Sequence, residues 1–285
     1  TSRLNSRYYE VTNRKLIKNA LTVLQNNDDI LPVQKLDSFK IASLMIGSKG
    51  VSPFQKMLEK YTRMDHFQLE KKASERTWAN LRHKLKNYNL IIAGIDGIGL
   101  YPTGEYGTTE IQRRAAEEII RENSTITVFF GNAYALKYFG NIHHSKGLIL
   151  AYQNNRLTQE LAAQLVFGAV GSSGKLPVTV DSRFRINDGT EVKKNNCLSY
   201  TIPEEFGINS TELTQRIDSI AVLGIDSAAY PGCQVLVAKD GNVIFYKCYG
   251  YHTYKKNRKV KTDDIYDWAS LTKVTGPLPA LMKLV

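Results

Sequence analysis

Short apolar runs alternate with segments of helical periodicity through the first 180 residues. The apolar runs have the length of strands and lie at 40–47, 89–95, 125–131 and 147–152. Near-continuous apolar character is typical of strands that are covered on both faces. The helical segments lie at 52–61, 74–86, 108–122, 133–139 and 157–168. This alternation predicts an α/β fold, with a mostly parallel sheet and helices on both of its faces.

The stretch that precedes these runs predicts an amphipathic helix. It reads "TNRKLIKNALTVLQNN" from position 12 to 27. Helical spacing places one set of apolar residues on a single face, namely Leu16, Ile17, Ala20, Leu21 and Leu24.

The regular pattern stops after position 180. Residues 181–210 are polar, mixed in charge and without a sustained period, which predicts a linker. Ser210 is then expected to cap a helix over 211–223. The segment "CQVLVAKDGNVIFYKCYG" predicts a hairpin that turns at Asp240-Gly241. The last segment, 269–285, has helical character but is interrupted by Gly276, Pro277 and Pro279.

Composition narrows the class of protein only a little. The chain has 285 residues, and 42% hydrophobic content can fill ordinary cores. No apolar run approaches the ~20 residues that a membrane span needs, so we expect none. The net charge of +11 would suit an anionic partner, but the cations are spread along the chain. Their densest cluster, Lys255 to Lys261, carries no nucleic-acid-binding motif, and we predict a solvated loop and no nucleic-acid partner.

The three cysteines, Cys197, Cys233 and Cys248, have no zinc spacing. Counting outward from the Asp240-Gly241 turn sets Cys233 directly opposite Cys248, with Cα atoms about 5.5 Å apart. That distance permits a disulfide, but a cross-strand bridge there would be strained. We therefore expect free thiols.

Other motifs predict no metal and no cofactor. The spacing in "GIDGIG" (94–99) departs from the dinucleotide fingerprint, and "GSSGKLP" (171–177) departs from the phosphate loop. His143-His144 has no Cys, Asp or Glu at ligand spacing.

Acidic residues follow the ends of predicted strands, where open α/β sheets place their ligands. Asp96 and Glu105 are candidates for substrate binding, and Glu110 lies nearby. A glycosidase needs two carboxyl groups about 5–10 Å apart, and sequence spacing alone does not locate such a pair.

Ser270-x-x-Lys273 is a more specific pattern. A helix that begins near Ser270 brings Lys273 onto the same face one turn later. A lysine can act as the base for a serine nucleophile when burial or nearby cations lower its pKa. The alternative is a helix N-cap serine beside a solvent-exposed lysine.

Five blocks between about 12 and 180 resemble the second, α/β domain of family 3 glycoside hydrolases. They read "ALTVLQNNDDILPV", "SPFQKMLEKY", "VFFGNAYAL", "LILAYQNNRLTQELAAQLVFGAV" and "GSSGKLPVTV". From about 200, "LSYTIPEEFGI", "PGCQVLVAKDGNVIFYKCYGYHTY" and "DIYDWASLTKV" resemble the start of a serine β-lactamase and penicillin-binding-protein-like domain. The tandem resembles a bacterial fusion of a β-N-acetylhexosaminidase-like enzyme with such a domain.

The resemblance implies three segments. Residues 1–180 would be the family 3 α/β domain, 181–210 a linker, and 211–285 the first, partial α+β portion of the β-lactamase-like domain. It also implies a preceding (β/α)8 barrel that carries the catalytic residues of the glycosidase. This chain contains no such barrel, so we expect it to be inactive alone. In the second domain Ser270 would be the nucleophile and Lys273 its base.

The function that follows is hydrolysis of N-acetylglucosamine-containing glycans or muropeptides of the bacterial cell wall, by a secreted or periplasmic enzyme. A serine hydrolase using Ser270 and Lys273 is an alternative, as is a non-catalytic glycan-binding module. The resemblance also implies that the hairpin at 233–248 has an open edge. We therefore expect either disorder beyond about residue 200 or a dimer formed through that edge.

Overall fold

Two compact units make up the chain, which divides after Tyr200. The structure is a computed structural model and describes residues 7–284. The first unit has an α/β fold, as its alternating pattern predicts. The second unit contains a long helix and a β-hairpin, followed by short helical segments.

Six strands form one sheet in the first unit. In chain order they are β1 (Thr22–Asn26), β2 (Ile41–Ile46), β3 (Asp65–Leu69), β4 (Leu90–Ile95), β5 (Thr125–Phe129) and β6 (Gly147–Leu150). Their spatial order is β1-β6-β5-β4-β2-β3, and only β1 runs antiparallel to its neighbour. The four apolar runs form the strands β2, β4, β5 and β6, which confirms the mostly parallel sheet.

Helices cover both faces of this sheet. They are α1 (Arg7–Ala20), α2 (Pro53–Leu58), α3 (Glu75–Leu85), α4 (Thr103–Gly107), α5 (Glu110–Glu122) and α6 (Arg156–Val166). One apolar core joins α3 and α5 to the sheet, and a second core joins α1, α2 and α6 to the opposite face. The predicted helix at 133–139 is a 3-10 helix, Ala133–Tyr138.

Two strands of this sheet were not predicted. The single helix expected over 12–27 is wrong, because α1 ends at Ala20 and β1 pairs with β6 through Thr22 and Leu150. Pairing with a buried strand outweighs the helical spacing of Leu21 and Leu24. The other strand, β3, lies at the sheet edge, and its sequence DHFQL lacks an apolar run because most of it is only partly buried.

Residues 181–200, predicted as the first part of a linker, belong to the first unit. Phe184 and Val192 are almost fully buried. Thr190 forms an isolated bridge with Val23 of β1, and Ser172 pairs with Val192. A short strand, β7 (Ser199–Tyr200), ends the unit. The assignment of the units to particular protein families stays a prediction.

The second unit opens with a 3-10 helix, Pro203–Phe206, and continues with helix α7 (Ser210–Asp226). Ser210 does not cap it, because the side-chain oxygen of Asn209 accepts the backbone N–H groups of Thr211 at 2.9 Å and Glu212 at 3.0 Å. The hairpin follows, with β8 (Gly232–Lys239) and β9 (Asn242–Gly250). These ordered elements replace the disorder expected beyond residue 200, and the dimer stays a prediction.

The hairpin register corrects the expected cysteine pairing. The turn is where it was predicted, since Lys239 pairs with Asn242. The register then shifts by one residue at Ile244, so that Cys233 lies opposite Tyr249 and Cys248 lies opposite Gln234. Because neighbouring residues of a strand point to opposite faces, the two cysteines are on different faces of the hairpin. All three thiols are free.

Two short helices end the described chain, α8 (Thr272–Thr275) and α9 (Pro277–Leu284). They are separated at Gly276, and Pro277 is therefore the first residue of α9 rather than an interior position. A proline is tolerated there, because the first N–H of a helix has no intrahelical partner. Across residues 7–284, no helix combines the length and the apolar character that crossing a membrane requires.

Candidate functional site

The side on which the chain adds each new strand to the sheet changes between β2 and β4. From β2 the chain goes to β3 on one side, whereas from β4 it proceeds to β5 and β6 on the other side. Open α/β sheets bind ligands at such a reversal, outside the carboxyl ends of the strands. The loops that begin there are Gly47–Ser48 after β2 and Asp96–Gly97 after β4.

Asp96 is the centre of a hydrogen-bond network at this point. It is only 8% exposed. Its carboxylate accepts the Ser48 hydroxyl, the backbone N–H of Gly97 and the side-chain amide of Asn154. Asn154 comes from the loop after β6. One carboxylate therefore ties together the loops that follow three strands.

The hydrogen-bond network continues from the Asn154 side chain to two helices. The Asn154 side-chain oxygen accepts Gln159 Nε2 at 2.6 Å, and Gln159 Oε1 accepts the backbone N–H of Phe54 at 3.1 Å. Gln159 is on α6, and Phe54 is in the first turn of α2. The position of Asn154 is thus determined by two helices on one face of the sheet.

The backbone around Asp96 is anchored from the other face. Gln112, fully buried on α5, donates to the Asp96 carbonyl oxygen at 2.8 Å. Lys71 Nζ donates to the Gly97 carbonyl oxygen at 2.6 Å. Gly47 packs so closely here that a Cβ atom would lie 2.2 Å from the Asp96 carbonyl oxygen, and its φ is +108°. Only glycine fits this position without a shift of the backbone.

The Asp96 carboxylate acts as a hydrogen-bond acceptor in this arrangement. Three donors surround it, and the two oxygens of a carboxylate offer about four acceptor positions. One position is left for a further donor, such as a hydroxyl group of a ligand. The network is therefore suited to positioning a ligand and the surrounding loops.

Glu105, the second sequence candidate, lies in α4 and is engaged differently. Gly104, Glu105 and Tyr106 have positive φ values of 59°, 54° and 59°. The Glu105 carboxylate forms an ion pair with Arg113, and its side chain is 47% exposed. In the described part of the chain, no hydrogen bond links it to Asp96. The third acid, Glu110, is in the first turn of α5.

Sequence reasoning found Asp96 but missed Ser48, Asn154 and Gln159. The polar stretch "YQNN" directly after the fourth apolar run carried a signal for Asn154. Carboxyl ends of parallel strands share one sheet edge, so this stretch and Asp96 could have been expected to lie close together.

A Ser–His–Glu arrangement with a fully buried serine joins β2 to the edge strand β3. The oxygen of Ser43 is 2.6 Å from His66 Nδ1, and His66 Nε2 is 3.6 Å from a Glu59 carboxylate oxygen. Gln55 Nε2 donates to the Ser43 hydroxyl at 3.0 Å. Ser43 has no exposed surface, so no substrate reaches it, and the group is a structural link between α2, β2 and β3.

Ser270 and Lys273 lie in the second unit. Lys273 Nζ is 3.5 Å from Ser270 Oγ, and both side chains are exposed. Ser270 is in a 3-10 turn, Ala269–Leu271, and Lys273 is in α8, so one turn separates them as predicted. The distance is at the upper limit for a hydrogen bond. Their role as a nucleophile and its base stays a prediction.

A shallow groove lies at the amino edge of the sheet, away from Asp96. Arg82, Tyr88 and Asn123 are among its lining residues. Arg82 also pairs with Glu122, and this hydrogen bond lowers the pKa of the Glu122 carboxyl. For metal ions, residues 7–284 hold no group of three or more His, Cys, Asp or Glu side chains that could bind one.

Solved structures of glycosidases are among those that match this chain. A family 3 β-N-acetylglucosaminidase from Paenibacillus sp. str. FPU-7 matches with a TM-score of 0.46 at 10% identity, over 59% of this chain and 32% of that one. A β-glucosidase from Listeria innocua gives 0.48 at 18% identity, over 63% and 28%. A family 3 β-glucosidase from Bifidobacterium adolescentis gives 0.44 at 19% identity, over 61% and 29%.

The chain therefore spans about a third of the length of these matched structures. No protein-family model matches the sequence. No curated protein matches it either.

Proposed function

We propose that this chain is part of a secreted or periplasmic bacterial glycoside hydrolase that acts on N-acetylglucosamine-containing glycans or muropeptides. In this proposal the first unit supports the saccharide cleft. The observation that carries it is the Asp96 network at the carboxyl edge, where three loops are held by one carboxylate. The five sequence blocks that resemble family 3 glycoside hydrolases support it independently.

The chemistry of hydrolysis would come from outside these 285 residues. Glycoside hydrolysis needs one carboxyl group to protonate the leaving oxygen and a second as nucleophile or base. Asp96 is occupied by three donors, and Glu105 is paired with Arg113. Both carboxylates are engaged by partners within the chain, so we assign neither the acid nor the nucleophile to them. We therefore assign both catalytic groups to the (β/α)8 barrel that the resemblance implies.

The test is hydrolysis of 4-nitrophenyl N-acetyl-β-glucosaminide. We expect no nitrophenol release from this chain, and release from a longer protein that contains both the barrel and this chain, at equal concentration. Asp96→Asn in the longer protein should raise KM more than it lowers kcat, because Asp96 positions loops and a ligand hydroxyl. Glu105→Gln is the matched control and should leave both constants within about twofold.

Two outcomes would contradict the proposal. Turnover by the isolated chain would place the catalytic groups within it. If the longer protein hydrolyses none of the N-acetylglucosaminides tested, the proposed substrate class is wrong. Saccharide binding by the chain without turnover in either protein would instead favour a non-catalytic glycan-binding module.

A second candidate function is favoured by one contact, the 3.5 Å approach of Lys273 Nζ to Ser270 Oγ. A serine hydrolase of the penicillin-recognising type would use this pair for acyl transfer. Activation of such a lysine requires burial or nearby cations, and Lys273 is exposed here. The chain alone should therefore not be acylated.

A fluorescent penicillin and a fluorophosphonate test this candidate. We expect no labelling of this chain at Ser270. Labelling of a longer protein that is lost on Ser270→Ala and kept on Ser227→Ala would establish the serine site. Equal labelling of both variants would show that the reagent reacts elsewhere.

A further inference from the structure

Strand β8 has an edge with no partner. The hairpin sheet ends at β8, and within residues 7–284 no further strand pairs with it. The strand is eight residues long and reads GCQVLVAK. A free edge of this length exposes a row of backbone N–H and C=O groups that can pair with another strand.

The hairpin that carries this edge is held on both faces. On one face, Lys247 Nζ and the Tyr249 hydroxyl bind the Asp218 carboxylate of α7, at 2.7 Å and 2.5 Å. On the other face, the Tyr246 hydroxyl donates to the Thr262 carbonyl oxygen at 2.6 Å. Hydrogen bonds from within the second unit therefore hold the hairpin on both faces and fix the position of its edge.

The edge also lacks the features that usually prevent strand addition. Between Gly232 and Lys239 there is no proline, and the only charge is at Lys239. The bulge that bends the hairpin is at Ile244, in β9 rather than in β8. Leu236, near the centre of the strand, is 47% exposed. Natural edge strands are typically blocked by inward charges, prolines or bulges of their own.

We propose that β8 pairs with β8 of a second copy of this chain, antiparallel about a two-fold axis normal to the sheet. With the axis at Leu236, the two Leu236 side chains lie opposite each other on one face, with Cβ atoms about 4.5–5.5 Å apart. Lys239 then lies opposite the second copy's Cys233, so no two like charges meet. The sequence of β8 is thus self-complementary, which is the requirement for an isologous interface.

Sedimentation velocity across a concentration series tests this dimer, together with amide hydrogen exchange at low and high concentration. We expect a monomer–dimer equilibrium, and protection of residues 232–239 that increases with concentration. Leu236→Lys should raise the dimer dissociation constant about tenfold or more, because it removes an apolar contact and places two cations opposite each other. Leu223→Lys, on α7 and also exposed, is the matched control and should change it less than threefold.

Three results would overturn the proposal. One is a monomer at every concentration. Another is a dimer in which exchange at 232–239 does not depend on concentration. The third is a dimer that Leu223→Lys weakens more than Leu236→Lys does. Far-UV circular dichroism and exchange of the β9 amides show whether Leu236→Lys keeps the hairpin; if it does not, the concentration dependence of exchange in the wild-type chain decides.

Discussion

The two units of this protein bury their apolar side chains to very different extents. In the first unit, Phe54, Phe129 and Phe130 have no exposed surface. In the second unit, Trp268 is 55% exposed and Leu284 is 83% exposed. Close packing holds side chains in single rotamers, and without it they remain free to move.

The candidate sites follow the same difference. Asp96 is fixed by donors from three loops that a packed sheet holds in place. Ser270 and Lys273 share one contact at 3.5 Å on an exposed turn. Functional groups must be held close to their productive geometry by a surrounding shell. The difference teaches that residue type and spacing do not by themselves show how firmly a candidate site is held.

The largest expected effect comes from removing a core aromatic of the first unit. Phe129→Ala deletes a fully buried ring that lies 5.4 Å from Phe139, edge to face, and should lower the free energy of unfolding by about 3–5 kcal/mol. Leu281→Ala, at an exposed position, should change it by less than about 0.5 kcal/mol. Urea unfolding followed by Trp78 fluorescence in a Trp268→Phe background measures the effect on the first unit, and far-UV circular dichroism in the same background measures the effect of Leu281→Ala, which lies in the second unit. Equal effects of the two substitutions on the free energy of unfolding would show that the difference in burial between the two units has no energetic consequence.

Removal of the Asp96 carboxylate should have the next largest effect. Asp96→Ala leaves Ser48, Asn154 and the Gly97 N–H without their acceptor in a site that is almost closed to solvent. We expect a loss of about 2–3 kcal/mol in the same unfolding assay. Glu105→Ala breaks an exposed ion pair with Arg113 and should cost less than about 1 kcal/mol. If the Glu105 substitution costs as much, the two carboxylates are equally important to the fold.

The smallest effect is local and depends on pH. In the second unit the Lys261 N–H donates to Asp264 at 2.6 Å and lowers the pKa of that carboxyl, and hydrogen bonding from His252 adds to this. A lowered pKa in the folded state means that the contact stabilises the loop at neutral pH. That stabilisation is lost as the pH falls below the ordinary Asp value of 3.8 and through the lowered one.

Amide exchange of Lys261 measures this loop directly. In the wild-type chain, the equilibrium constant for opening of the loop, derived from the exchange rate, should stay constant from pH 7 to 5. It should rise on further acidification. In the Asp264→Asn variant the loop should be open at every pH. The Asp263→Asn variant, changed at an exposed neighbouring residue, should behave as wild type. A Lys261 amide that stays protected at pH 7 in Asp264→Asn would show that other contacts hold the loop.

Much of the first unit could be predicted from local pattern. The runs 40–47, 89–95, 125–131 and 147–152 became β2, β4, β5 and β6, because a strand buried on both faces must be apolar along its length. The hairpin turn at Asp240-Gly241 was predicted for a similar local reason, since both residues accept positive φ. Asp96 was a candidate for substrate binding because it follows the end of a predicted strand.

Other features depended on contacts between distant parts of the chain. Whether Leu21 and Leu24 continued a helix was decided by pairing of β1 with β6, more than 120 residues away in sequence. The one-residue shift at Ile244, which separates Cys233 from Cys248, left no signal in the pattern.

The sequence by itself thus determined the class of fold and the place of Asp96 at a strand end. Only the tertiary structure decided that Asp96 meets Ser48 and Asn154, and that Ser270 and Lys273 stay exposed. The physical reason is that apolar periodicity depends on neighbours along the chain. Hydrogen-bond partners and burial depend on segments that are distant in sequence and come into contact only in the folded chain.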